Sequence, residues 1–309
     1  MNISDDVSQY VATSDGLSLA VYEDGPADAP VIVFVHGYPD NHHVWDGIAG
    51  QLAQDFRVVR YDVRGAGRSD VPVDRSGYRI EQLVDDLGRV INAASPDASV
   101  HLVAHDWGSI QSWDALPDDR FGVLIRSFTS ISGPSLDHAA VWMRGLRHGL
   151  GNRLLQLAES YYIGFFMTPR LPELLARRGF VARMAGLSAL VSRPSILPQT
   201  ATFERGHAET VNGIDLYRAN VPQRLLRPHP PQVTLPVQVV VPSRDIHVSA
   251  PLAEQAPAPF VSNLTISNIH GNHWVVAQRP VMVAHLIRRF VSSTEAFEPT
   301  GIQGKDTAR

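Results

Sequence analysis

Val31-Ile32-Val33-Phe34-Val35 is an unbroken apolar run, rich in β-branched residues, that ends at His36-Gly37. A strand with water on one side would alternate apolar and polar residues. This run does not, so it reads as a strand buried on both faces, as in a parallel sheet covered by helices. Its surroundings agree. A helical pattern over 44–54 precedes a second strand, Val58-Val59-Arg60-Tyr61-Asp62, which ends in the glycine-rich turn Arg64-Gly65-Ala66-Gly67-Arg68-Ser69. Ile80, Leu83, Val84, Leu87, Val90 and Ile91 have the spacing of one helix face over 80–94. Strand patterns follow at 100–104 and 128–131, with a helix over 110–116 between them. Strands and helices alternating through short links predict a doubly wound, mostly parallel α/β sheet.

The alternation stops after Ser132-Gly133-Pro134. Over 136–221 there is no strand pattern, only Leu-, Arg- and aromatic-rich helical stretches such as 154–167 and 171–190. This predicts a helical lid inserted into the sheet domain. Arg227-Pro228-His229-Pro230-Pro231 then leads to strands at 237–241 and 264–269 and a last helix at 281–290. The expected division is a core of 1–135 and 222–293, a lid of 136–221 and a disordered tail of 294–309.

Composition narrows the chemistry. The chain has no cysteine, which removes thiolate nucleophiles, disulfides and Cys-ligated zinc. Lys305 is the only lysine and lies in the polar tail, so Schiff-base and P-loop chemistry are excluded. Net charge is −4 with no basic block, which argues against a nucleic-acid partner. Met1-Asn2-Ile3-Ser4-Asp5-Asp6 lacks the apolar centre of a signal peptide, and no apolar run approaches the roughly 20 residues of a spanning helix. The expectation is a cytoplasmic protein without membrane insertion and without a cofactor.

In an open α/β sheet, function collects at the carboxyl ends of strands. Four such ends carry reactive residues here. Ala104-His105-Asp106-Trp107-Gly108 has the small-x-nucleophile-x-small form of a nucleophile elbow, with Asp106 in the central place. A carboxylate is ionised at neutral pH and needs no base to attack. It suits displacement at a saturated carbon better than attack on an amide or ester. An N-cap role for Asp106 stands equally on this turn alone. Asp245 and His273 follow two later strands, in the chain order of nucleophile, acid and histidine. His273 would activate water and Asp245 would orient the imidazole. His36-Gly37-Tyr38-Pro39 brings backbone close to the elbow, and the N–H groups of Tyr38 and Trp107 could form an oxyanion hole. His36, Pro39, His105 and Trp274 are expected to line the substrate pocket.

These motifs together resemble those of the α/β-hydrolase epoxide hydrolases over roughly residues 14–290. The motifs are His36-Gly37-Tyr38-Pro39, the stretch from Tyr61 to Ser69, His105-Asp106-Trp107-Gly108, Asp245, and Gly271 to Trp274. The likeness is nearest to the hydrolase part of EphD-type proteins, in which a short-chain dehydrogenase domain follows the hydrolase. The resemblance implies two lid tyrosines that hold and protonate an epoxide oxygen. Tyr162, in Ser160-Tyr161-Tyr162, and Tyr217, in Leu216-Tyr217-Arg218, match them, with Tyr161 an adjacent alternative to Tyr162. The substrate it implies is a small epoxide, and the Leu-, Met- and Phe-rich lid suggests an apolar pocket and hence a lipophilic one.

Haloalkane dehalogenases share such a nucleophile and base, but often place Asn where Tyr38 stands. A non-catalytic binding protein on the same scaffold is a third reading. Gly65-Ala66-Gly67 lacks the third glycine of a dinucleotide fingerprint. Asn41-His42-His43 suggests a metal, but no second ligand cluster lies at a suitable spacing along the chain.

Overall fold

The computed structural model describes residues 3–180 and 207–295. Eight strands form one sheet: β1 (Gln9–Ala12), β2 (Ser18–Asp24), β3 (Val31–Val35), β4 (Arg57–Tyr61), β5 (Val100–His105), β6 (Ile125–Ile131), β7 (Val233–Pro242) and β8 (Val261–Ile269). Their order is β1-β2-β4-β3-β5-β6-β7-β8. β2 pairs antiparallel with β1 and β4, and the remaining pairs from β4 to β8 are parallel.

The run in β3 is apolar throughout because both its faces are covered. Ile32 and Phe34 enter one core, with Ile48 and Leu52 of α1 (Asp46–Leu52). Val31, Val33 and Val35 enter the other, with Leu87, Val90 and Ile91 of α2 (Ile80–Ala94) and Trp113 of α3 (Trp107–Ala115). Fully burying each such side chain contributes roughly 1.5–3 kcal/mol.

Between β6 and β7 the described elements are all helices: α4 (Leu136–Arg144), α5 (Leu150–Glu159), α6 (Tyr161–Met167), α7 (Leu171–Arg177), α8 (His207–Asn212) and α9 (Ile214–Leu226). The expected lid boundary at 221/222 falls inside α9, and the expected helix over 171–190 lies partly outside the described residues. The Asn220 side chain fixes α9 to the core, accepting from the Ile80 amide at 2.9 Å and donating to the Tyr78 carbonyl at 2.8 Å. After β7 come α10 (Ala250–Gln255), then β8, α11 (Val275–Gln278) and α12 (Pro280–Glu295). α12 thus takes in Thr294 and Glu295, which were expected in the tail; residues 296–309 lie outside the described set.

The glycine-rich turn after β4 is held from within. Arg64 is buried and binds both Asp86 oxygens, at 2.6 and 2.7 Å, while Ser69 donates to the Asp62 carbonyl at 2.6 Å. No described helix is long and apolar enough to cross a membrane.

Candidate active site

Asp106 sits between the end of β5 and the start of α3 with φ 51° and ψ −124°. That conformation is costly for a residue with a Cβ and holds the side chain out of the strand-to-helix turn. Asp106 makes no side-chain cap bond to α3. Its Oδ1 instead accepts from the Tyr38 amide at 2.7 Å. The approach depends on glycine at two places. A Cβ on Gly37 would lie 2.4 Å from Asp106 Oδ1, and one on Gly108 would lie 2.3 Å from the Val35 carbonyl. Tyr38 and Pro39 are joined by a cis peptide.

His273 follows β8, and its Nε2 lies 3.5 Å from Asp106 Oδ2. On its other side Nδ1 lies 3.1 and 3.0 Å from the two Asp245 oxygens. Asp245 Oδ1 also accepts from the amides of His247 and Val248, at 2.8 and 3.1 Å. These partners govern the charges. Burial resists ionisation of Asp245, but His273 and the His247 amide outweigh it and hold the carboxyl near about 2. Burial likewise works against a charged His273, yet Asp245 and Asp106 raise its pKa to about 10. Burial raises the pKa of Asp106; His273, with the Trp107 amide, brings it below the ordinary carboxylate value. All three shifts run in the direction that favours an imidazolium between two carboxylates.

Over this arrangement lies an aromatic roof. The Tyr217 ring packs 4.9 Å from Trp107 and 5.9 Å from Tyr162, centroid to centroid. Burial first raises the pKa of both phenols, joined by the Asp106 charge at Tyr162 and by Tyr162 and then Asp106 at Tyr217, so both stay protonated. Tyr161 points away and is 63% exposed, whereas Tyr162 is turned inward against His247, with ring centroids 4.9 Å apart. Tyr38 spends its hydroxyl on the lid side, donating to the Thr210 carbonyl at 2.7 Å.

The expected pocket residues divide. Trp274 packs on His273 with centroids 5.0 Å apart, and its indole N–H donates to Asp40 at 3.1 Å. Pro39 is buried in the turn below Asp106. His36 leaves no ring nitrogen for a ligand: Nδ1 donates to the Gly37 carbonyl at 2.9 Å, and Nε2 accepts from the Val63 amide at 3.0 Å. It braces the turn from behind. His105 is also fully buried, with Nε2 donating to the His273 carbonyl at 2.9 Å, which ties the end of β5 to the loop that carries His273. A β-strand end presents alternate side chains to opposite faces, so neighbours of a site residue need not reach the site.

Sequence reasoning missed His247. Its ring lies edge-on to His273 and Trp274, at 4.8 and 5.9 Å between centroids, and burial lowers its pKa to about 4. The one available signal was its place two residues after Asp245. Asp40, the partner of Trp274, carried no sequence signal at all.

By its sheet order and its elbow the chain has the α/β-hydrolase fold, and the profile of that fold family matches residues 30–182. Among its relatives, the probable oxidoreductase EphD of Mycobacterium tuberculosis is 33% identical over 315 residues, which is 97% of this chain and 52% of that protein. The chain thus spans about half the length of the EphD relatives. Epoxide hydrolase 4 of Mus musculus is 26% identical over 298 residues, 91% of this chain and 79% of that one. A Bacillus megaterium epoxide hydrolase solved with an inhibitor superposes with a TM-score of 0.75 at 20% identity, covering 92% of this chain and all of that one. That likeness bears on the fold alone. The resemblance to epoxide hydrolases carried by the motifs is matched by these curated relatives.

Proposed function

We propose that this chain is an epoxide hydrolase that opens a lipophilic epoxide to a vicinal diol through an ester on Asp106. The observation that carries the reading is that two buried, protonated phenols, Tyr162 and Tyr217, pack ring against ring within the field of the Asp106 carboxylate. A carboxylate can displace at an epoxide carbon, and phenol donors can take the alkoxide that develops on the other side. Curated relatives named as epoxide hydrolases support it; the EphD relatives are named probable oxidoreductases and are about twice as long.

The steps balance. An Asp106 oxygen attacks an epoxide carbon, the ring C–O bond breaks, and a phenol protonates the alkoxide. The phenolate recovers its proton from the His273 imidazolium. Alkylation has removed the negative charge of Asp106, one of the two that kept His273 protonated. The neutral imidazole then deprotonates a water, which adds to the Asp106 carbonyl carbon. The Tyr38 amide, 2.7 Å from Oδ1, and the Trp107 amide stabilise the resulting oxyanion. Collapse releases the diol, which leaves with the remaining proton of the added water, and restores the carboxylate and the imidazolium.

The inserted helices act in this reading as a lid that supplies the phenols and keeps water out. The test is a panel of lipophilic epoxides and haloalkanes assayed for diol and for halide. Diol formation is expected. Halide release without diol, or no turnover of either class, overturns the reading.

A further inference from the structure

His42 and His43 lie on a short 3-10 turn, His42–Trp45, in the link that follows β3. Each ring faces a carboxylate through Nδ1: His42 to Asp62 Oδ1 at 2.8 Å and His43 to Asp46 Oδ2 at 2.9 Å. A carboxylate only accepts, so both Nδ1 atoms carry hydrogen. A neutral imidazole of that tautomer presents a lone pair at Nε2. Both Nε2 atoms face one and the same oxygen, Oδ1 of Asp5, at 3.4 and 3.3 Å. Two lone pairs and a carboxylate oxygen repel one another unless positive charge lies among them. A proton on one ring answers one of the two contacts; a divalent cation answers both.

The spacing fits such an ion. Tetrahedral zinc bonded to N and O at about 2.1 Å sets its ligands about 3.4 Å apart. One donor atom from each of Asp5, His42 and His43 lies within 4.8 Å of the others. The supporting shell fits too, because metal-bound histidines donate their second nitrogen to a carboxylate, which fixes tautomer and ring orientation. The Tyr22 ring stacks on His42 with centroids 3.6 Å apart, and its hydroxyl donates to Asp62 at 2.9 Å. Arg68 occupies the other Asp5 oxygen at 3.1 Å and the Asp5 carbonyl at 2.9 Å, leaving Oδ1 to the histidines. The joined carboxylates Asp5, Asp24, Asp46 and Asp62, set against the guanidiniums of Arg60 and Arg68, leave two negative charges with the histidines neutral.

We propose that Asp5, His42 and His43 form a binding site for a divalent transition metal of the zinc class, with the fourth position open to water. The ion fastens the N-terminal segment to the turn after β3. None of its ligands belongs to the Asp106 site, so it stands or falls independently of the proposed reaction. The sequence concealed it because Asp5 lies 37 residues before His42.

Chelator-treated full-length protein should be titrated with Zn²⁺ by calorimetry and with Co²⁺ by visible absorption. One saturable equivalent is expected, with the intense absorption of tetrahedral Co²⁺ and a thermal midpoint that rises with Zn²⁺. Asp5→Asn and His43→Gln alter residues that are not buried, so both variants should fold, as circular dichroism will show. Each should weaken binding about tenfold or more. Absence of a saturable equivalent overturns the proposal, and so does unchanged binding in the double variant, which would put the ion elsewhere.

Discussion

The Nε2 atom of His273 stands 3.5 Å from Asp106 Oδ2, while its Nδ1 reaches both oxygens of Asp245. One histidine is thus shared between the proposed nucleophile and the carboxylate proposed to orient it. It cannot easily lose a proton until one of these charges disappears.

Trapping follows from that geometry. His273→Gln should still form the ester but fail to hydrolyse it. Intact-mass spectrometry after mixing with epoxide should show protein plus one substrate. Asp106→Asn should show no adduct and no turnover. Steady turnover by His273→Gln at an unmodified mass counts against the assigned base.

The two half-reactions should respond differently to acid. Alkylation needs ionised Asp106, whose pKa lies below the ordinary value. Hydrolysis needs neutral His273, whose pKa falls once Asp106 is esterified, because one of its raising charges is gone. Moving from mildly alkaline to mildly acidic pH should therefore slow hydrolysis and spare alkylation. Rapid-quench mass spectrometry should find ester accumulating at the acid end. Equal slowing of both steps would contradict the assignment.

The phenols are separable by substitution. Tyr162→Phe and Tyr217→Phe should each slow alkylation at least about tenfold, and the pair together by about 10³ or more, on the scale expected for proton donors. Tyr161→Phe should change little, since that ring faces solvent. Single-turnover rates of ester formation measure this directly.

Gly37→Ala should cost activity out of proportion to stability. Its Cβ would sit 2.4 Å from Asp106 Oδ1, so the turn must withdraw the Tyr38 amide from the carboxylate. A fall of about 10² or more in kcat, as for loss of an oxyanion donor, is expected. Thermal melts alongside kinetics would distinguish this from simple unfolding.

Acid should also destabilise the fold. His101, His138 and His247 are each held near about 4, chiefly by burial. Unfolded histidine protonates near about 6.5, so between these values the unfolded chain binds more protons and stability drops as pH falls. Each histidine should cost roughly 2 kcal/mol by about pH 5. Urea midpoints at neutral and acid pH test the sign.

Much of this was legible in the chain itself. Short, β-branched apolar runs closed by turn residues mark strands buried on both faces, and the 80–94 helix pattern coincides with α2. The edge hairpin β1–β2 was not foreseen: β1 is mostly unburied, and the buried apolar run of β2, Leu19-Ala20-Val21-Tyr22, is only four residues long. Asp106, Asp245 and His273 were visible because each lies at a strand end, where chain order and local turn chemistry leave a mark. What tertiary structure alone decided is who meets whom: Tyr162 inward and Tyr161 outward, His36 and His105 bonded to backbone, His247 against His273, Asp5 beside His42 and His43. The physical reason is common to all of these. Periodicity fixes the face on which a side chain starts, but contacts between distant segments depend on how helices pack on the sheet, and linear spacing holds no record of that.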